Sequence, residues 1–207
     1  MRFRVGPVPV DPRFRPDEEA WRRLKEPSFR VLILLALPVA ALLVAGMLVS
    51  WAAVARASGA DEAIQFSIDP ATMLASLGAL VALVVVHELV HVLALPRLGL
   101  TSRTVVGFWP SKLTPYVSYE GELPRNRAIA AGLSPFVFLS LFPLLAGALF
   151  AWMPAWLVAL STINALASSA DLIGAALLAF QLPRRAVVRS KGLQTWWREG
   201  VPDATRS

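Results

Sequence analysis

The only two histidines of this sequence stand four residues apart, in His87-Glu88-Leu89-Val90-His91. On a helix, at about 100° per residue, positions i and i+4 lie about 40° apart and one turn along the axis, so two imidazoles at this spacing can share one ion at about 2.0–2.1 Å. A glutamate beside the first histidine can take a proton from a metal-bound water. The residue types and their spacing therefore point to hydrolysis at a metal, with His87 and His91 as ligands and Glu88 as general base. Such a site usually takes three protein ligands and leaves one position for water. The chain has no cysteine, which excludes thiolate ligands and disulfides.

The element carrying the motif is Ala71 to Leu95, a stretch with thirteen Leu or Val that ends at Pro96 and Gly99. It is long enough to cross a hydrocarbon core, which needs about 20 apolar residues. Burying an acid or base at the centre of such a helix costs about 2.5–3.5 kcal/mol on insertion scales. The Leu and Val residues offset that cost without explaining the polar cluster. In a soluble helix rich in Glu and His, HExxH arises readily by chance. In a membrane helix, ionisable groups are rare and mark function.

The rest of the chain fits the same setting. Its 207 residues are 56% hydrophobic and 16% charged, against about 25% charged in soluble domains. Spans are predicted over 31–54, 71–95, 128–150 and 155–182, with Pro135 and Pro143 kinking the third. Lys and Arg number eight before the first span, then one, five, none and six in the successive loops and the C-terminal tail. That alternation places both termini and the middle loop in the cytoplasm. It also accounts for the net charge of +6 without a nucleic-acid partner. The loop between the first two spans holds Asp61, Glu62 and Asp69, and Asp69-Pro70 reads as a helix start. In the middle loop, Thr104 to Trp109 and Tyr116 to Glu120 are β-type runs that form a small hairpin, in the cytoplasm or dipping into the interface. Trp109, Trp152, Trp196 and Trp197 fall near predicted interfaces, as anchors do. Glu120 and Glu122 lie in a polar loop and read as solvated.

Asp171 is the one further acid inside a predicted span. If the second and fourth spans both run inward, His87 lies sixteen residues below Ala71 and Asp171 sixteen below Ala155, so the candidate ligands sit at similar depth. Asn164, Ser168 and Asp171 follow i, i+4, i+7 spacing and share one helix face. An acid that only bonds a neighbouring helix is the plain alternative for Asp171. Asn164 reads either as a contact to the substrate carbonyl or its oxyanion, or as interhelical glue. Ser168 and Ser169 read as packing residues.

With HELVH in a second span and Asn164 and Asp171 in a fourth, the chain resembles the prokaryotic membrane proteins classed as putative zincin peptidases. Trp21-Arg-Arg-Leu-Lys-Glu-Pro, and the stretch from Gly121-Glu-Leu to Leu133-Ser-Pro-Phe136, carry the same resemblance. More distantly it is similar to the site-2 proteases, intramembrane zinc enzymes that cleave transmembrane substrates. Those carry Asn-x-x-Pro leading to Leu-Asp-Gly, whereas here the Asn-to-Asp interval is one shorter, the proline is absent and Leu172 follows Asp171. The resemblance implies Zn²⁺ held by His87, His91 and Asp171, with Glu88 as catalytic base.

The expected fold is all-α and integral to the membrane: a tail over 1–30, a four-helix metallopeptidase domain over 31–182 and a basic tail over 183–207. The expected function is hydrolysis of peptide bonds in membrane-associated or transmembrane substrates, at the prokaryotic cytoplasmic membrane. The partners are lipid and a protein or peptide substrate; the sequence sets no oligomeric state. The rival reading is a metal-binding transporter or sensor without catalysis, in which Glu88 is a ligand or proton relay.

Overall fold

The computed structural model describes residues 1–16, 20–59 and 69–200; the loop with Asp61 and Glu62 lies outside them. In chain order the elements are β1 (Arg2–Val5), β2 (Arg22–Arg23), α1 (Phe29–Ala57), α2 (Pro70–Ala94), a 3-10 turn (Pro96–Gly99) and β3 (Thr104–Trp109). A second 3-10 turn (Pro110–Lys112), β4 (Thr114–Tyr119), β5 (Leu123–Pro124), α3 (Arg125–Phe136), a π turn (Val137–Leu141) and α4 (Phe142–Phe150) follow. The chain then forms α5 (Ala155–Ala167), α6 (Ser169–Gln181), β6 (Ala186–Lys191) and β7 (Gln194–Glu199). It divides into two compact units, one of residues 28–90 and 133–172, the other of residues 1–27, 91–132 and 173–207.

The first unit is helical. Helix α1, helix α2 and the stretch Arg125–Phe150 are each long and apolar enough to cross a membrane. In α1 and α2 only 6% of the most apolar window is buried, so most of their Leu and Val side chains are left uncovered. The fourth expected span is a bent pair, α5 and α6 meeting at 47°. The bend falls at Ser168-Ser169, where Ser168 Oγ donates back to the Asn164 carbonyl at 2.9 Å; serine pairs and such back-bonds bend helices. Met47, Trp51 and Ala165 form the core of this unit, and the Trp51 indole donates to Ser161 Oγ at 3.0 Å. Gly147 is required there, since a Cβ would fall 2.5 Å from the Trp51 ring.

The second unit corrects the all-α expectation, because among the described residues it holds seven strands in two sheets, ordered β1-β3-β4 and β2-β7-β6-β5. The hairpin of β3 and β4 stands where the sequence placed it. The tails do not read as strands, yet β1 pairs parallel with β3, Arg2 opposite Val105, and the C-terminal segment folds as the hairpin of β6 and β7. Gly192, at φ +62°, supplies the backbone conformation that this tight turn needs. Leu24, Leu182, Ala186 and Val188 are the buried centre of the second sheet. Trp197 packs against that centre. Glu120 and Glu122, expected to be solvated, are ion-paired with Arg2 and Arg198.

Candidate metal centre

Helix α2 starts where Asp69 Oδ1 accepts the Thr72 backbone N–H at 3.0 Å, with Pro70 in the first helical position, which needs no N–H partner. At its other end Arg127 donates to the carbonyls of Ala94 at 3.1 Å and Leu95 at 2.8 Å. Arg125 likewise donates to Leu178 and Ala179, at 3.2 and 2.6 Å, near the end of α6. The two arginines opening α3 thus satisfy orphan carbonyls of both helices that carry candidate ligands. Sequence reasoning counted them only as cytoplasmic charge; their place immediately before a predicted span was the available signal. Gly99 closes the turn after α2 with φ +72°, and a Cβ there would meet the Val92 side chain at 2.2 Å.

His87, His91 and Asp171 come together. One ligand atom from each lies within 4.8 Å of the other two. His87 Nε2 stands 3.2 Å from Asp171 Oδ2, close to the separation of about 3.3 Å that two ligands about 2.0–2.1 Å from a tetrahedral ion would have. His87 is 8% exposed, and Asp171 occupies the first turn of α6, where the helix dipole favours a carboxylate. Glu88 follows His87 on α2 and is half-buried.

Hydrogen bonds decide which imidazole nitrogen each histidine offers. His91 Nδ1 lies 2.7 Å from the Ala131 carbonyl oxygen, which can only accept, so Nδ1 carries the hydrogen and Nε2 keeps its lone pair. For His87 the argument takes one more step. Asn164 Nδ2 lies 2.9 Å from the Pro135 carbonyl and 2.8 Å from Ser140 Oγ. Because a carbonyl only accepts, the amide is oriented with its nitrogen there and its oxygen toward His87 Nδ1, at 2.9 Å. His87 Nδ1 is then the donor and Nε2 again faces the candidate metal position.

Asn164 is fully buried, with its donor committed to Pro135 and Ser140. What it turns toward the site is a carbonyl oxygen, which cannot donate to an oxyanion; the substrate-contact reading gives way to one in which Asn164 holds His87. Ser140 and Ser161, which the sequence did not single out, extend this network: Ser140 Oγ donates to the Ser161 carbonyl at 2.8 Å. Ser168, expected to be a packing residue, is fully buried.

Two neutral imidazole nitrogens and a carboxylate form a donor set that suits zinc. Residues 80–187, just over half of the chain, match the model of the family described as "Putative zincin peptidase". Zinc is the metal that family implies. No curated protein and no solved structure matches the chain.

Proposed function

This chain belongs to the putative zincin peptidase family, and from that premise we propose that it is a membrane-embedded zinc peptidase acting on membrane-associated or transmembrane proteins. The observation that carries the reading is the approach of His87, His91 and Asp171 to within 4.8 Å of one another, on two predominantly apolar helices. Bound there, zinc supplies a water acidified toward neutrality and a Lewis acid for a peptide carbonyl. His87 and His91 offer Nε2, held by bonds at Nδ1, and Asp171 offers a carboxylate oxygen. Glu88 takes the proton that the attacking water gives up and returns it to the leaving amine, as general base and then general acid.

The membrane setting is supported by the apolar surface that α1 and α2 leave open, since soluble monomers rarely expose more than a few hundred Å² of contiguous apolar surface. With the bent pair α5 and α6 counted as a fourth span, both termini and the middle loop fall on one side. Three basic segments expected in the cytoplasm, the N-terminal tail, the middle loop and the C-terminal tail, contribute to one compact unit, which favours that topology. A distant kinship with the site-2 proteases rests on the same grouping of HExxH and a later aspartate.

Purified protein should hold one zinc per chain by elemental analysis and cleave a dye-labelled transmembrane peptide reconstituted with it in proteoliposomes. Glu88→Gln should keep the metal and lower turnover by about 10²–10⁴-fold, whereas a carrier using Glu88 as a ligand would lose metal. Asp171→Ala should lose zinc; full retained affinity there would overturn the three-ligand centre.

A further inference from the structure

Pro135 stands inside α3 and is fully buried. A proline has no N–H, so the carbonyl four residues earlier loses its helical partner. Here that carbonyl belongs to Ala131, the one that His91 Nδ1 approaches to 2.7 Å. Immediately after Pro135 and Phe136 the helix widens into the π turn Val137–Leu141, where Phe142 N–H bonds back to Val137. The i+5 pairing shifts the ladder and leaves room for a carbonyl to bond elsewhere. Pro135's own carbonyl does so, accepting from Asn164 at 2.9 Å and thereby turning the Asn164 oxygen to His87 Nδ1.

We propose that Pro135 is the positioning residue for both histidines, its missing N–H locking His91 and its carbonyl, through Asn164, locking His87. The inference deepens the zinc reading and rests on it for its consequence. Both rings have to present Nε2 to the same ion, and the Ala131 and Pro135 carbonyls of one helix hold them so before metal arrives. A histidine whose Nδ1 was free would share its hydrogen between the two nitrogens and turn about χ2. Partners of this kind are worth about 10- to 100-fold in metal affinity.

The chain's having two histidines makes the test direct. Nitrogen-15 NMR of the metal-free, histidine-labelled full chain, at a pH where both rings are neutral, should show both as the Nδ1–H tautomer. Pro135→Ala restores an N–H that competes with His91 for the Ala131 carbonyl. His91 should then become a tautomer mixture, and zinc affinity, read by chelator competition, should fall about 10- to 100-fold. Pro143→Ala, which also removes a proline from this stretch, should leave tautomers and affinity unchanged. The proposal is overturned if wild-type His87 or His91 is Nε2–H, if Pro135→Ala leaves both readouts unmoved, or if Pro143→Ala reproduces its effect, which would make straightening of the helix the cause. Should Pro135→Ala fail to fold, the wild-type tautomers decide. Wild-type protein with the expected tautomers but no zinc binding would sink the peptidase reading and leave the positioning intact.

Discussion

The helical unit and the sheet unit put polar atoms to opposite uses. In the helical unit the buried polar side chains are neutral: Ser140, Ser161, Asn164 and Ser168 are all at most 1% exposed and bond to one another or to backbone carbonyls. Among the described residues of that unit, the charged side chains besides Arg30, Arg56 and Asp69 are Glu88 and Asp171, both in or beside the candidate centre. In the sheet unit, charged side chains pair with one another and lie over aromatic rings around an apolar centre. Arg189 pairs with Asp11 at 2.7 Å and lies over the Phe14 ring at 4.3 Å, and Arg198 pairs with Glu122 at 2.7 Å and lies over Trp21 at 4.7 Å. The difference follows from solvent. A neutral donor or acceptor taken out of water is costly if left unpaired. An exposed ion pair is screened and gains little.

If that contrast is right, the largest single effect comes from Asn164→Ala, which strips partners from the Pro135 carbonyl, Ser140 Oγ and His87 Nδ1 together. Leaving a buried group unsatisfied costs about 1–3 kcal/mol each, so denaturant unfolding in detergent should register several kcal/mol, alongside weakened zinc binding. A loss below 1 kcal/mol would mean that water reaches the network and the contrast is false. Next comes Ser161→Ala, which orphans the Trp51 indole N–H; about 1–3 kcal/mol is expected, with a change in Trp51 ultraviolet absorption as the local reporter. Arg127→Ala tests the seam between the two behaviours, a charge bonded to helix-end carbonyls. It should cost about 1.5–3 kcal/mol, read by the same unfolding, and speed hydrogen exchange in the last turn of α2.

Much of the helical unit was legible because its signals are local. Hydropathy over about 20 residues marks α1 and α2, four-residue spacing joins His87 to His91, and depth counting brought Asp171 to them. The start at Asp69-Pro70 and the hairpin of β3 and β4 were equally visible, from a cap and from two β-type runs. What escaped depends on distant partners. Strand β1 acquires its pairing from β3, about a hundred residues away. Strands β2 and β5 are two residues long, too short to show a period. The hairpin of β6 and β7 did carry a signal, Lys191-Gly192 between β-forming runs, which the basic composition of the tail obscured. Asn164 shows the limit most sharply. Its position on the polar face was readable, but whether it donates to a substrate or accepts from His87 was set by the carbonyl of Pro135, on another helix.

The smallest effect, and the sharpest test of the contrast, is Arg198→Ala in the sheet unit. Both members of the pair are well exposed, at 38% and 40% of their side chains. A double-mutant cycle with Glu122→Ala should therefore give a coupling of about 0.2–1 kcal/mol, shrinking further in high salt. The single substitution should cost somewhat more than the coupling, because the guanidinium also covers Trp21 and that stacking persists in salt. A coupling as large as the Ser161→Ala loss, or one indifferent to salt, would mean that this face is shielded from water. The sheet unit would then owe its stability to buried charge, and the two units would not differ in kind.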